Sequence, residues 1–214
     1  MKTKPKKSSE PFILNTDTIS IAEIHLAQVD RILGELITLH GPCTICSDYT
    51  EPFEKLVNSI IGQQLSAKAA RTIRQRIRNC LGKICPEEIS AAASEKLREC
   101  GLSTAKVRYI KALSELVQTN QFSFESLYNS PIEVVIDELV KIPGVGRWTA
   151  EMFALSTLRH ANILSLGDAG LNRAVKKLYG SNASLEKKGE KWKPYCSVAS
   201  WYLWRYLDAN LLAE

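Results

Sequence analysis

Apolar residues along this chain recur at helical spacing in nearly every segment, and the two-residue alternation of strands is scarce. Ser20-Ile21-Ala22-Glu23 has the S-x-x-E form of a capping box, in which each side chain satisfies an orphan N–H at a helix start. Ile21, Ile24, Val29, Ile32, Leu33 and Leu36 then recur at near-helical spacing until Gly41-Pro42 stops the run. Thr50 is placed to cap the next helix, with Pro52 in its first turn and Phe53, Leu56, Val57, Ile60 and Ile61 facing inward. Ser66 restarts a helix through Ile77 that ends near Gly82, and Pro86 to about Leu97 reads as one or two short helices. Ser103 caps another up to Val117.

Ser130-Pro131-Ile132-Glu133 combines a cap, a proline at the first helical position and a glutamate at the third, predicting a helix to about Val140. Ile142-Pro143-Gly144-Val145-Gly146 cannot continue it, because one Pro and two Gly within five residues make a tight turn. Helices are expected from Arg147 to about Leu158, from after Asp168 to Tyr179, and from Pro194 to about Asp208. With roughly ten helices, no internal repeat and no Gly/Ser linker, the expected class is all-α.

Composition adds limits. The 214 residues are 45 % hydrophobic and 24 % charged, which excludes collagen-like, low-complexity and wholly disordered classes. No apolar run reaches the roughly 18 to 20 residues of a spanning helix, so no membrane partner is expected. The lysine-rich start (Lys2, Lys4, Lys6, Lys7) is followed by no apolar stretch, so residues 1–18 read as a basic flexible tail rather than a secretory signal. A cytoplasmic or nucleoid location follows, or the nucleus in a eukaryote, with the six cysteines as reduced thiols.

Net charge is +5, and the cations are clustered. Lys68, Arg71, Arg74, Arg76 and Arg78 crowd one segment, and Lys176 and Lys177 another. Such clusters are the electrostatic footprint of nucleic-acid binders, and equally the solvated faces of amphipathic helices.

The most specific segment is Leu139 to Ala150, a helix, a P-G-V-G turn and a second helix. Gly144 and Gly146, lacking Cβ, let backbone N–H groups approach a phosphate, and the following helix N-terminus adds its positive dipole. Flanked by Lys141 and Arg147, this helix–hairpin–helix is expected to grip the DNA backbone without reading sequence. No G-x-x-x-x-G-K-[ST] loop is present, so a P-loop nucleotidase is not supported.

About twenty residues on comes Leu164-Ser165-Leu166-Gly167-Asp168-Ala169-Gly170-Leu171. With Ile60-Ile61-Gly62-Gln63-Gln64-Leu65-Ser66, the IPGVGRWTA hairpin, and Trp192-Lys193-Pro194-Tyr195 followed by ASWYLWR, the chain resembles the helix–hairpin–helix (HhH-GPD) DNA glycosylases. Within them it looks like the DNA-3-methyladenine glycosylase II, or alkylation-repair, type.

The resemblance implies a fold of two helical lobes, one from residues 19–51 plus 166–214 and one from 52–165, with the active site in the cleft between them. It implies that Asp168 is catalytic. Breaking an N-glycosidic bond builds positive charge on the deoxyribose, which a carboxylate stabilises, and a helix N-terminus favours an anion. The alternative is a plain N-cap, worth about 1 kcal/mol.

Members that also cut the strand look as if they carry a Schiff-base lysine where this chain has Trp148, so a monofunctional enzyme is expected. Trp148 is expected in the base pocket, where an aromatic face attracts a cationic alkylated base, together with Trp192 and Tyr195. Trp201 and Trp204 read as core. A nucleotide must be extruded from the duplex, and the resemblance puts the wedge at Gln64 or Leu65, with Ser66 and Lys68 beside a phosphate. Thr149, next to Trp148, completes the expected DNA-contacting set with Lys141, Gly144, Val145, Gly146 and Arg147.

No cofactor is expected to be required. Main-chain carbonyls of Val140, Ile142 and Val145 are implied to hold Na+ or K+. An iron–sulfur cluster needs four cysteines after the aspartate, and only Cys196 lies there. Cys43-Thr44-Ile45-Cys46 with His40 is a zinc half-site without a second close pair. The implied partner is double-stranded DNA containing damaged bases, approached by a monomer. Two other readings stay open: a non-catalytic helix–hairpin–helix DNA-binding module, and a strand-cutting glycosylase/lyase for oxidised bases.

Overall fold

A computed structural model describes residues 13–47 and 49–211. The lysines at 2, 4, 6 and 7, and most of the expected basic tail, lie outside the described residues. Within them the chain forms twelve α-helices, one 3-10 turn at Glu125–Leu127 and no strand beyond a single bridge between Ile13 and His160. The class is all-α. No helix among the described residues is long and apolar enough to cross a membrane.

The helices fall into two compact units. One takes the described chain up to Tyr49 and again from Ala154; the other is Thr50–Phe153. The expected boundary at 165 therefore moves to 153, and the hydrogen bonds of residues 159–163 show why. Leu14 donates its N–H to the Arg159 carbonyl at 2.7 Å, Ile163 to Ser197 Oγ at 2.9 Å, and Ser197 to the Ala161 carbonyl at 3.0 Å. These buried polar groups find their partners in the first unit.

In that unit α1 (Thr16–Val29) starts five residues earlier than the Ser20 box predicts. Asn15 is the cap: its side chain accepts the Thr18 N–H while Thr18 Oγ1 accepts the Asn15 N–H, so the box exists one turn upstream. Residues 13–18 are consequently not tail, and Leu14 is fully buried. Ile19, Ala22 and Leu26 face the core, whereas Ile21 and Ile24 are exposed by 54 % and 61 %.

Asp30 then separates α1 from α2 (Arg31–His40). Its Oδ1 accepts the Ile32 and Leu33 N–H groups, and its Oδ2 accepts Tyr179 Oη at 2.9 Å and Trp192 Nε1 at 3.0 Å. A buried carboxylate with four donors is fully satisfied, and it joins the α1–α2 junction to α10 (Ala169–Tyr179) and α11 (Leu185–Trp192). α12 (Cys196–Leu211) completes the unit, its Val198, Ala199, Tyr202 and Leu203 buried against the same core.

The second unit opens with α3 (Pro52–Gly62), whose five predicted inward residues are all buried. Its cap position is Glu51, not Thr50, and no side chain caps it. α4 (Ala67–Leu81) is capped by Ser66, as predicted, through the Ala69 N–H. α5 (Pro86–Ala91) and α6 (Ser94–Glu99) are the two short helices, and α7 (Thr104–Gln118) is capped by Ser103. α8 (Ile132–Leu139) starts one residue later than Ser130-Pro131 suggests, with Pro131 itself at the cap. α9 (Arg147–Ser156) leads out of the unit.

Candidate functional site

The hairpin between α8 and α9 is anchored by apolar side chains and shaped by glycine. Ile142 and Val145 are buried, and the Val145 N–H closes the turn onto the Ile142 carbonyl at 3.0 Å. That N–H, expected to face phosphate, is therefore used inside the turn. Gly144 has φ +84°, and a Cβ there would overlap the Tyr109 ring, so this glycine serves conformation and packing together. A Cβ on Gly146 would meet nothing within 4 Å. No protein atom demands glycine at 146. α9 begins at Arg147, and its Ala150 N–H bonds the Gly146 carbonyl at 3.0 Å, so the hairpin leads directly into a helix N-terminus with its positive dipole.

Lys141 and Arg147 flank the turn as exposed cations, each with a local acid: Lys141 Nζ is 2.7 Å from Glu138 and Arg147 Nε 3.0 Å from Glu151. The Lys141–Glu138 pair, exposed on both sides, holds about 0–1 kcal/mol and yields readily to a competing phosphate, whereas Glu151 is buried and anchors Arg147 from below. Thr149 departs from expectation: its side chain is buried, lying on the wall of a cavity rather than at the surface.

That cavity, of about 560 Å³, collects Trp148, Thr149 and Met152 of α9, Gln63 and Gln64 of the turn after α3, and residues of α3 and α4. Trp148 is half-exposed at its edge. The turn is tightly held. Lys106 Nζ donates to the Ile61 and Gln63 carbonyls at 2.8 and 2.7 Å, and Gln63 Nε2 donates to the Gly144 carbonyl at 2.9 Å, tying turn to hairpin. Burial pushes the Lys106 ammonium below its usual range. Gln64 takes a left-handed φ of +56° and is exposed, as are Leu65, Ser66 and Lys68. A left-handed non-glycine on a pinned loop is a feature of functional loops.

In the first unit, Asp168 is the N-cap of α10 and is 7 % exposed. Its Oδ1 accepts the Leu171 N–H at 2.7 Å and Trp204 Nε1 at 3.3 Å. Trp204, read from spacing as core, thus touches the candidate catalytic carboxylate; one α12 residue finding one α10 cap is a long-range fact with no local sequence signal. Gly170 is a second residue that was not singled out. A Cβ on it would lie 3.0 Å from Asp168 Oδ1 and 3.6 Å from the Trp204 ring.

Two expected pocket residues are not available to a base. Trp192 is fully buried with its N–H on Asp30, and Tyr195 is 9 % exposed with its ring 5.3 Å from that of His25. Both belong to the core of the first unit. Their aromatic character suits a pocket and a core alike, and the partners that decide are far along the chain.

Of the cysteine pair at 43 and 46, Cys43 is buried in the same core and Cys46 is half-buried against it. Burial pushes the Cys43 thiol up to about 12, and no group of three or more His, Cys, Asp or Glu among the described residues is gathered to hold a metal. The hairpin carbonyls of Val140, Ile142 and Val145 are oxygen donors of the class a hard monovalent cation takes. The Ile142 oxygen, accepting one N–H, keeps a second lone pair.

Comparison with known proteins places these features. Residues 57–194 match the family model of the HhH-GPD superfamily base excision DNA repair protein. The alkylbase DNA glycosidase-like protein mag2 of Schizosaccharomyces pombe is 30 % identical over 202 residues, 86 % of this chain and 92 % of that protein. DNA-3-methyladenine glycosylase 1 of the same yeast is 30 % identical over 203 residues, 88 % of this chain and 87 % of its own length. Among solved structures, the DNA-3-methyladenine glycosidase from Bacillus halodurans superimposes with a TM-score of 0.76 at 35 % identity, covering 91 % of each chain. The matched segment takes in both the hairpin and the glycine-rich loop at Asp168, and it spans more than half of the sequence: the chain belongs to the HhH-GPD superfamily of base excision DNA repair proteins.

Proposed function

We propose that this protein is a monofunctional DNA glycosylase that removes alkylated purines, of the 3-methyladenine and 7-methylguanine class, from duplex DNA as the first step of base excision repair. The names of its relatives support the substrate class. The observation that carries the reading is the Asp168 carboxylate, fixed in one orientation by the Leu171 N–H and Trp204 Nε1–H.

As the C1′–N bond breaks, the bonding electrons leave with the base and the sugar becomes oxocarbenium-like. Asp168 compensates that charge, and water adds to C1′ with its proton taken up by solvent or the departing base. A ring-alkylated purine is already cationic and leaves without a strong general acid. Trp148, on the wall of the 560 Å³ cavity, offers an aromatic face to such a cation.

The extruded nucleotide leaves a gap, for which exposed Gln64 is the first candidate wedge and Leu65 the second. The hairpin holds the backbone through α9 N–H groups, Lys141 and Arg147. The carbonyls of Val140, Ile142 and Val145 would hold Na+ or K+, which supplies positive charge toward a phosphate. The protein acts as a monomer on chromosomal DNA, in the cytoplasm or nucleoid, or in a eukaryotic nucleus.

Trp148 in place of a Schiff-base lysine favours hydrolysis over strand cleavage. Chromatographic profiling of bases released from methylated duplex DNA tests the proposal. Free 3-methyladenine with an intact strand is expected. Absence of any released base would favour the DNA-binding module, and a borohydride-trapped covalent adduct would favour the lyase.

A further inference from the structure

The cavity beside Trp148 has a second character that base binding does not use. Its α3–α4 side is lined by Lys55, Arg74 and Arg78, and no carboxylate lines it anywhere. The surrounding sequence accentuates this: α4 carries five cations and no Asp or Glu over its fifteen residues. Arg78 is paired with Glu54, an anchor that steadies its guanidinium. Arg74 Nε donates to the Ala70 carbonyl of its own helix. Among the described residues neither Lys55 nor Arg74 has a carboxylate within 4.0 Å as an ion-pair partner.

Lys55 and Arg74, lining one cavity without a counter-charge of their own, raise the local potential and attract a polyanion. A cationic alkylated base is repelled by this half of the cavity, so its occupant carries negative charge. We propose that Lys55, Arg74 and Arg78 form a phosphate-binding site for DNA, separate from the hairpin, that takes a backbone phosphodiester where a strand passes the exposed Gln64–Leu65 turn. The two sites then hold the duplex backbone on both sides of the cavity: N–H groups and cations of α9 on one, side-chain cations of α3 and α4 on the other. The site rests on the DNA-acting reading of this protein, but not on catalysis.

Binding of the full chain to an undamaged duplex oligonucleotide, followed by fluorescence anisotropy between 50 and 200 mM salt, tests it. Each neutralised phosphate contributes about 0.9 to the slope of log affinity against log salt. The Lys55→Gln/Arg74→Gln variant is therefore expected to lose about 0.9 from that slope, the share of one phosphate, while Lys55→Arg/Arg74→Lys keeps the wild-type slope and both retain wild-type thermal melting. An unchanged slope in the glutamine variant overturns the proposal, and so does an equal loss in the charge-conserving one, since packing would then be the cause.

Inorganic phosphate against chloride at matched ionic strength separates the sources. Saturable thermal stabilisation by phosphate that the glutamine variant loses, with the duplex slope intact, assigns the cavity to free phosphate and overturns the duplex. Base release is read separately. A protein that loses the slope as predicted yet releases no base contradicts the glycosylase reading alone; one that releases base with an unchanged slope contradicts the phosphate site alone.

Discussion

Asp168 combines two tasks that an isosteric change separates. Asparagine still caps a helix, with its side-chain oxygen able to accept the Leu171 N–H, so Asp168→Asn leaves the fold close to wild type while removing the charge. Gly170 guards the same carboxylate sterically. A Cβ 3.0 Å from Oδ1 forces a shift of a few tenths of an ångström, and misplacement on that scale matters to a positioned catalytic group. Gly170→Ala is expected to lower base release at least about tenfold with little change in melting temperature; a rate equal to wild type would show that the carboxylate tolerates the move. The buried thiols are a control on the packing around these residues. Burial pushes Cys43 and Cys196 up to about 12 from 9.0, so near pH 8 each has about a thousandfold less thiolate than an exposed thiol. Iodoacetamide at that pH should leave both unlabelled by mass spectrometry in the native protein and label them in denaturant; rapid native labelling would contradict their burial.

At the scale of elements, the hairpin and the α1–α2 junction make distinct demands. Gly144→Ala places a Cβ into the Tyr109 ring at φ +84°, a conformation costing roughly 1–2 kcal/mol before the overlap is relieved. It should lower both stability and DNA affinity. Gly146→Ala fills open space, so stability should hold while DNA affinity falls about tenfold, or 1.4 kcal/mol, as the methyl obstructs a phosphate. Equal affinities for Gly146→Ala and wild type in a binding titration would take the phosphate away from this turn. Asp30→Ala strands the Tyr179 hydroxyl and the buried Trp192 N–H, and urea unfolding should show a loss on the order of 3 kcal/mol.

Elements marked by local chemistry were legible from the sequence. Ser66 and Ser103 each cap the helix they announce, and the five inward residues of α3 are read correctly from spacing alone. Errors arose where two local signals compete. Ser20-Glu23 has the form of a box, but Asn15-Thr18 forms it, because Leu14 is pulled into the core by its bond to Arg159. α11 was missed altogether: LEKKGEKW is mostly charged, and only its buried Leu185, Gly189 and Trp192, spaced four and three apart, betray a helix. Around the candidate site, the turn at Gly144 and the helix start at Asp168 were legible because each is marked by a short run of local sequence. Trp204 at Asp168, Gly170 beside it, and the withdrawal of Trp192 to Asp30 depend on pairings across the fold.

For the whole molecule, a net charge of +5 gathered on particular helices suits a partner bound through its backbone, with affinity that falls steeply as salt rises. Binding alone does not distinguish a glycosylase from a DNA-holding module; charge compensation by Asp168 does. The direct measurement is the single-turnover rate of 3-methyladenine release from methylated duplex DNA by wild type and by Asp168→Asn, alongside their duplex affinities. The expected result is a rate at least about a hundredfold lower in the variant, with similar affinity and melting temperature. Equal rates in the two proteins would contradict the central claim that this one carboxylate stabilises the cationic sugar.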